Sequence, residues 1–458
     1  MNSTPPVAII GAGIAGLTAA DYLKRNNIPF ILFEGGKKIA GLATSFRDNE
    51  GFTYDFGAHF ITNRLADAVG ISDDCRLVKH YGEAVWIRGK SYNYPFGLAA
   101  IPRMTWSFLK GRFKSTPQPG SAADWFRGRY GEVLADEVAL PLLEAWSGAP
   151  ADKLSASLGE GLFGGSTFKT IYLKTAGKLS GRAVACGYNK EKPETPSVWH
   201  VYPNAGISTV CEKLAENVKE NIRLESPVEA IIVENERVVA LQVKGETYPV
   251  SAVISTAPAN ILPKLVKGTR ALESFSQFRY RPMVFVNIRL KGRNLLPDTV
   301  MWYPEGQFPF FRLTEAPISM PWLAPEGKTI ITVDIGCEKD DQFWNMDETK
   351  LTELCMQHMS GLIPDIKERF IGSSILKTPI AYPIFLKQYE DARKEFEKST
   401  NIDNLLSVGR NGEFSHMFME DVYWRTQKRV AGLIHHLNNN VPLPVPTQAP
   451  AENMAHVH

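Results

Sequence analysis

Apolar runs and helical spacing alternate from the start of the chain. Val7-Ala8-Ile9-Ile10 is a short uninterrupted apolar run, the pattern of a buried strand. Leu17, Ala20 and Leu23 follow at helical spacing, and Phe30-Ile31-Leu32-Phe33 is a second apolar run that stops at Glu34. The pattern predicts strand, helix, strand. Far along the chain, Glu225 to Val233 reads as a strand, and Val238–Val243 and Val250–Ser255 continue a small β unit with charged turns between them. Asn404 to Arg410 reads as a strand ending in Gly-Arg. Arg425 to Leu437 then carries apolar residues at helical spacing: Val430, Leu433, Ile434 and Leu437. Beyond Asn438 the chain runs Asn-Asn-Val-Pro-Leu-Pro-Val-Pro, and the Pro-rich 441–458 segment reads as a disordered tail. No stretch approaches the roughly 18 consecutive apolar residues of a membrane-spanning helix, so no integral membrane segment is expected.

Composition narrows the classes. The chain has 458 residues, 44% hydrophobic and 22% charged, an ordinary globular balance that excludes a disordered, collagenous or coiled-coil protein. Lys and Arg number 51 against 49 Asp and Glu, so no basic excess points to nucleic acid. The first residues lack the basic start and long apolar stretch of a secretory signal, which predicts a cytoplasmic protein. Five cysteines, an odd number without a Cys-x-x-Cys pair, fit free thiols in a reducing compartment. The histidines show no metal-ligand spacing, and no metal is expected.

The chemistry sits between the first strand and helix, at Gly11-Ala12-Gly13-Ile14-Ala15-Gly16. Gly11 permits the tight turn. Gly13 lets backbone approach a pyrophosphate, and Gly16 lets helix and strand pack closely. The helix start, at Ala15 and its neighbours, offers free N–H groups and a positive dipole end. Glu34 stands where a carboxylate accepts hydrogen bonds from a ribose diol. The pattern alone is weak: Gly159-Glu160-Gly161-Leu162-Phe163-Gly164 also fits it. That copy has no strand before it, no clear helix after it and no acid at the right distance, so it reads as a flexible loop.

A second Gly-rich turn, Ala40-Gly41-Leu42-Ala43-Thr44-Ser45, follows Glu34, and then Asp55-Phe56-Gly57-Ala58-His59. In this order the motifs resemble the flavin amine oxidase and protoporphyrinogen oxidase superfamily, and Leu42 resembles its UDP-galactopyranose mutase-like subgroup. The resemblance runs over about residues 7 to 437. It implies FAD, with Gly41, Leu42 and Ala43 along the pyrophosphate. Gly57, Ala58 and His59 then approach the flavin, Val228 lies by the adenine, and Gly409, Arg410, Asp421 and Val422 close over the flavin side. The chain departs from the superfamily pattern at Ala40 and Ala205, each in place of a glycine, at the absent Arg of the second turn, and at His416, where Tyr is common.

The resemblance implies an α/β fold: a Rossmann-like FAD-binding domain from 1–80, 195–265 and 385–440, and a mixed α+β substrate domain from 81–194 and 266–384. Residues 125–156 resemble its helical substrate segment. Arg312, Tyr382 and His416 are the candidate substrate contacts, and His59 is the candidate catalytic residue. Aromatic residues crowd the substrate pieces. The implied activity is oxidation of a small organic substrate by hydride transfer to flavin N5, with an electron acceptor the sequence does not name. A single dinucleotide motif argues against a second, nicotinamide domain. Two alternatives stand beside this: a redox-neutral sugar mutase, with Arg312 and Arg281 on a nucleotide diphosphate, or a non-catalytic FAD-binding protein. Oligomeric state is not legible.

Overall fold

The computed structural model describes residues 5–112, 119–159, 167–187 and 189–439. Residues 160–164 of the second Gly-x-Gly-x-x-Gly copy, which begins at Gly159, and the 441–458 tail lie outside them. Val7–Ile10 lies at the centre of a five-stranded sheet ordered Ile222–Arg223, Phe30–Phe33, Val7–Ile10, Ala252–Ser255, Leu405–Ser407. Every pairing in it is parallel. Parallel strands are covered on both faces, which is why these segments read as unbroken apolar runs.

Alternation along the strands sorts the two layers. Val7, Ile9, Leu32 and Ile254 pack against Leu17 and Leu23 of the opening helix Ile14–Arg25 and Val430 and Leu433 of the closing helix Met419–Asn439. Ala8, Ile10, Phe33 and Val253 face the other way, onto Ile231, Leu241 and Leu262. That second layer is a four-stranded sheet ordered Glu246–Pro249, Arg237–Val243, Val228–Glu234, Val266–Lys267. One expectation is corrected here. Ala252–Ser255 does not continue the small β unit. It is buried along its whole length and pairs in register with Val7–Ile10 and with Leu405–Ser407. Burial on both faces suits a parallel interior strand better than a meander edge.

The second unit is built on a seven-stranded sheet ordered Phe370–Pro383, Tyr280–Lys291, Lys328–Gly336, Arg312–Thr314, Val300–Trp302, Glu83–Ile87, Lys90–Asn93. One face carries Val284, Val286, Ile288, Leu313, Ile331, Val333 and Ile335, sealed by Leu351, Cys355 and Met359 of the helix Glu348–Met359. The opposite face follows from the two-residue period. On it Phe285 pairs with Asp334, Asp334 with Arg312, and Arg312 with Trp302 in one row across four strands. Leu98 and Met104, of the helices Phe96–Ala99 and Pro102–Arg112, pack on Val85 and Ile87 of this sheet, whereas Ala122, Ala123 and Phe126 of the helix Ala122–Tyr130 join the core beneath Ala8, Ile10 and Phe33. The chain is therefore α/β, a Rossmann-like layer joined to a mixed α+β unit.

Candidate active site

Three turns converge on the start of the opening helix. Gly11 has φ +96°, and a Cβ there would stand 2.1 Å from the Thr256 hydroxyl oxygen, which donates to the Ile10 carbonyl at 2.8 Å. A Cβ at Gly16 would stand 1.9 Å from the Gly11 carbonyl oxygen, so the helix presses onto its own strand only because that residue is glycine. Gly13 caps the helix with no side-chain hydrogen bond, and the first turn holds no acid. Its N–H groups lack intrahelical acceptors and present a positive end. The second turn abuts the first, since a Cβ on Gly41 would lie 3.7 Å from Gly13 Cα. The third turn arrives from the far end of the chain, where a Cβ on Gly409 would lie 2.8 Å from the Ala15 methyl carbon. A side chain at Gly13 would project into space where the nearest atom, the Ala40 carbonyl oxygen, is 4.0 Å away. That open cradle of backbone donors fits a pyrophosphate.

Ala40 explains how the second turn tolerates its missing glycine. Its φ is +83°, left-handed, and its N–H donates to the Ala12 carbonyl at 2.8 Å. Such a conformation costs a non-glycine residue about 1–2 kcal/mol, and burial of the methyl group, 3% exposed, offsets part of it. Leu42 and Ala43 continue that turn as a short helical bend, Gly41–Ala43.

Glu34 accepts hydrogen bonds from the Ala12 and Gly36 N–H groups, both at 2.7 Å. Each carboxylate oxygen keeps a lone pair for a further donor. The Glu34 carbonyl accepts from Ser226 N–H at 2.8 Å, which brings the strand that begins at Val228 to the same end of the cradle.

At the other end, Gly57 lies against the polar row of the seven-stranded sheet. Its φ is +81°, and a Cβ there would be 3.0 Å from a Phe285 ring carbon and 3.2 Å from an Arg312 guanidinium nitrogen. Ala58 and His59 follow directly. His59 Nδ1 is 3.6 Å from an Asp55 oxygen and has no hydrogen-bond partner. Asp55 itself is fixed by the Ser45 hydroxyl at 2.6 Å and the Tyr202 hydroxyl at 2.5 Å. Arg312 pairs with Asp334. Burial opposes its charge, but the Asp334 carboxylate outweighs that and holds the guanidinium above its ordinary range. It also lies 5.4 Å from the Trp302 ring.

Around this row Phe56, Leu142, Trp146, Phe311 and Tyr382 form one apolar cluster with Phe285 and Trp302. Trp146 touches both Tyr382, at 5.0 Å between ring centroids, and His416, at 4.8 Å. His416 is buried with Nε2 unpartnered. Burial, together with the charges of Lys190, Arg410 and Arg393, pushes its imidazole well below its ordinary range, so it is neutral. Arg410 lies 5.7 Å from the Tyr382 ring, and its Nε donates to the Met417 carbonyl at 2.8 Å. Burial lowers its pKa, and it pairs with no carboxylate among the described residues. A part-buried cation without a counterion among the described residues is the feature an anionic group would complete.

The structure thus gathers His59, Arg312, Tyr382, His416 and Arg410 along one wall. Asp421 and Val422 stand elsewhere in the first turn of the closing helix. Asp421 accepts from the Lys190 and Glu191 N–H groups, at 2.8 and 3.0 Å, and burial pushes its carboxyl up to about 6. Val422 is buried in the helix-side core. Arg281 is tied to Glu338 at 2.7 Å. Sequence reasoning missed Asp334, Phe285 and the Asp55–Tyr202 pair. It also missed Glu420, which accepts from the Thr62 hydroxyl at 2.6 Å and from Arg64 and the Trp424 indole. For Asp334 a signal existed: one acid inside the apolar run Ile330 to Gly336.

Among the described residues no helix is long and apolar enough to cross a membrane. The family model for flavin containing amine oxidoreductases matches residues 14–423. The chain is 23% identical over 410 residues to the coproporphyrinogen III oxidase of Staphylococcus aureus, covering 79% of this chain and 84% of that one. Reduced UDP-galactopyranose mutase superposes with a TM-score of 0.77 at 19% identity, over 98% of both chains. Cyclohexylamine oxidase from Brevibacterium oxydans IH-35A superposes with a TM-score of 0.68 at 13% identity, over 95% of this chain and 100% of that one. At such identities the superpositions speak for the fold alone. The family match extends from the opening helix to the closing one, across the cradle and the aromatic wall alike, and so the chain belongs to the flavin-containing amine oxidoreductases and is an FAD-dependent oxidoreductase.

Proposed function

We propose that the enzyme oxidises a small organic substrate held between the Gly57–His59 loop and the Arg312 face of the seven-stranded sheet. FAD held there would supply the hydride acceptor, its N5, and the electrons would leave to a separate acceptor. The observation that carries the reading is the contact of Gly57 with Phe285 and Arg312, because it sets the flavin-side loop directly against the aromatic wall. Phe56, Trp146, Trp302, Phe311 and Tyr382 exclude water there and orient a flat or apolar substrate. Asp334 neutralises Arg312, so that residue fixes the wall and places little net charge on the substrate. His59, whose Nδ1 faces the Asp55 carboxylate at 3.6 Å, is the group available to take or hold a substrate proton. The neutral His416 is available as a hydrogen-bonding partner along the same wall.

In the same reading, N–H groups around Gly11, Gly13, Ala15, Gly16, Gly41, Leu42 and Ala43 hold the pyrophosphate, Glu34 takes the ribose diol and Val228 lines the adenine. Gly57, Ala58, Gly409 and Arg410 hold the flavin side. Asp421 and Val422 support it from behind, through the 190–191 backbone and the core.

The test is anaerobic mixing of the purified flavoprotein with amines, porphyrinogens, polyenes and UDP-sugars. Bleaching of the oxidised flavin band by one class supports the reading and names the substrate. If no class bleaches the band, yet the dithionite-reduced enzyme interconverts a UDP-sugar, the redox-neutral reading replaces it.

A further inference from the structure

Eight large apolar side chains stand exposed among the described residues, and seven of them fall in two short stretches. Tyr94, Phe96, Trp106 and Leu109 belong to the first, around the helices Phe96–Ala99 and Pro102–Arg112. Ile171, Tyr172 and Leu179 lie on the helix Thr167–Ser180. Trp106 is 62% exposed, Tyr172 61% and Leu179 84%, values rare for such residues on a surface that stays in water. The stretches form one face. The Phe96–Ala99 and Pro102–Arg112 helices pack together, and the Lys174 ammonium lies 5.6 Å from the Tyr94 ring centroid.

The two stretches themselves carry charge of one sign, with the acids Glu83, Asp298 and Glu194 brought beside them by other elements. From Ala84 to Arg112, and again from Thr167 to Gly187, there is not one Asp or Glu, in a chain whose charges otherwise nearly balance. Lys110, Lys174 and Lys178 stand among the apolar residues, with Lys110 5.3 Å from the Trp106 ring. The neighbouring acid Glu137 is already paired with Arg103 and Arg88. Trp and Tyr beside Lys, with Leu and Phe projecting outward, is the composition of a surface that lies in the headgroup layer of a bilayer. A second copy of the chain is a poorer occupant, since a two-fold contact would press one set of exposed lysines onto another.

We infer that this face docks on an anionic membrane surface. The aromatic and leucine side chains enter the interface and the lysines meet the lipid phosphates. The FAD-loaded full-length protein is to be sedimented with phosphatidylcholine vesicles and with vesicles that also contain phosphatidylglycerol. Binding to the anionic vesicles is expected to be at least about tenfold tighter and to fall at high salt. Lys110→Gln with Lys178→Gln weakens it roughly twenty-five-fold, about fivefold for each lysine. Trp106→Ser with Leu179→Ser weakens binding to the same vesicles without changing the salt dependence. An unchanged flavin spectrum shows each variant folded. Equal binding to neutral vesicles, no binding to either, or undiminished binding by the lysine variant overturns the inference. So does self-association that Leu179→Ser abolishes in a protein that ignores vesicles.

Discussion

At the scale of single residues, the site rests on two arginines with opposite circumstances. Arg410 is a part-buried cation with no carboxylate partner among the described residues, whereas Arg312 is paired with the buried Asp334. Replacing Arg410 by Met is expected to loosen FAD by about 10- to 100-fold, the worth of a charge-assisted hydrogen bond. Flavin absorbance after ultrafiltration reads the loss. If the variant keeps its flavin and only KM rises, the residue serves substrate instead. Asp334→Asn leaves the Arg312 charge buried and uncompensated, and urea unfolding is expected to show a loss of about 3–5 kcal/mol. Arg312→Met combined with Asp334→Leu recovers much of that loss, because a packed apolar pair has no such penalty. Glu34 was legible in the sequence because its task depends on local spacing from the glycines. Asp334 was not, because its partnership with Arg312 exists only through the register of two strands.

At the scale of elements, the opening strand–helix–strand could be read directly, since its contacts are short-range and its glycines have steric reasons. The split of residues 228–255 between two sheets could not. Ala252–Ser255 finds its partners at Val7–Ile10 and Leu405–Ser407, and no nearby residue announces a pairing across such separations. The seven-strand order was hidden for the same reason. A buried histidine gives the element scale its test. His200, in the strand His200–Pro203, is pushed down by burial to about 4. A depressed imidazole contributes stability that is fully present above its ordinary value of 6.5 and is lost as pH falls towards 4. Between pH 7 and 5 the loss from this one group is about 2 kcal/mol. A His200→Phe variant, compared by urea unfolding across the same range, is expected to show a slope shallower by that amount.

At the scale of the whole molecule, the cradle is a meeting place. Gly13, Gly41 and Gly409 come from the first, second and last elements of the parallel layer, and the Gly57 loop ties that layer to the seven-stranded sheet. A ligand that touches all of them binds only the assembled chain. Adding FAD at about a hundred times its Kd is therefore expected to raise stability by about 2.7 kcal/mol, and stripping it to remove the same amount. Calorimetry of the stripped and reloaded protein checks this: one transition that moves as a unit is expected, and a shift confined to a minor transition would count against it. The position of the last strand carries a consequence for how the protein is made. Leu405–Ser407 covers the outer edge of Ala252–Ser255, and Gly409 closes the cradle beside it. At about 5–20 residues per second a ribosome needs roughly 20–75 s to travel from Glu34 to Leu405. Throughout that interval the nucleotide site is incomplete, and over its last roughly 8–30 s, from Ser255 onward, the nascent chain also carries an open strand edge. The cofactor cannot protect that edge during synthesis, because it can contribute only after the far end of the chain has emerged.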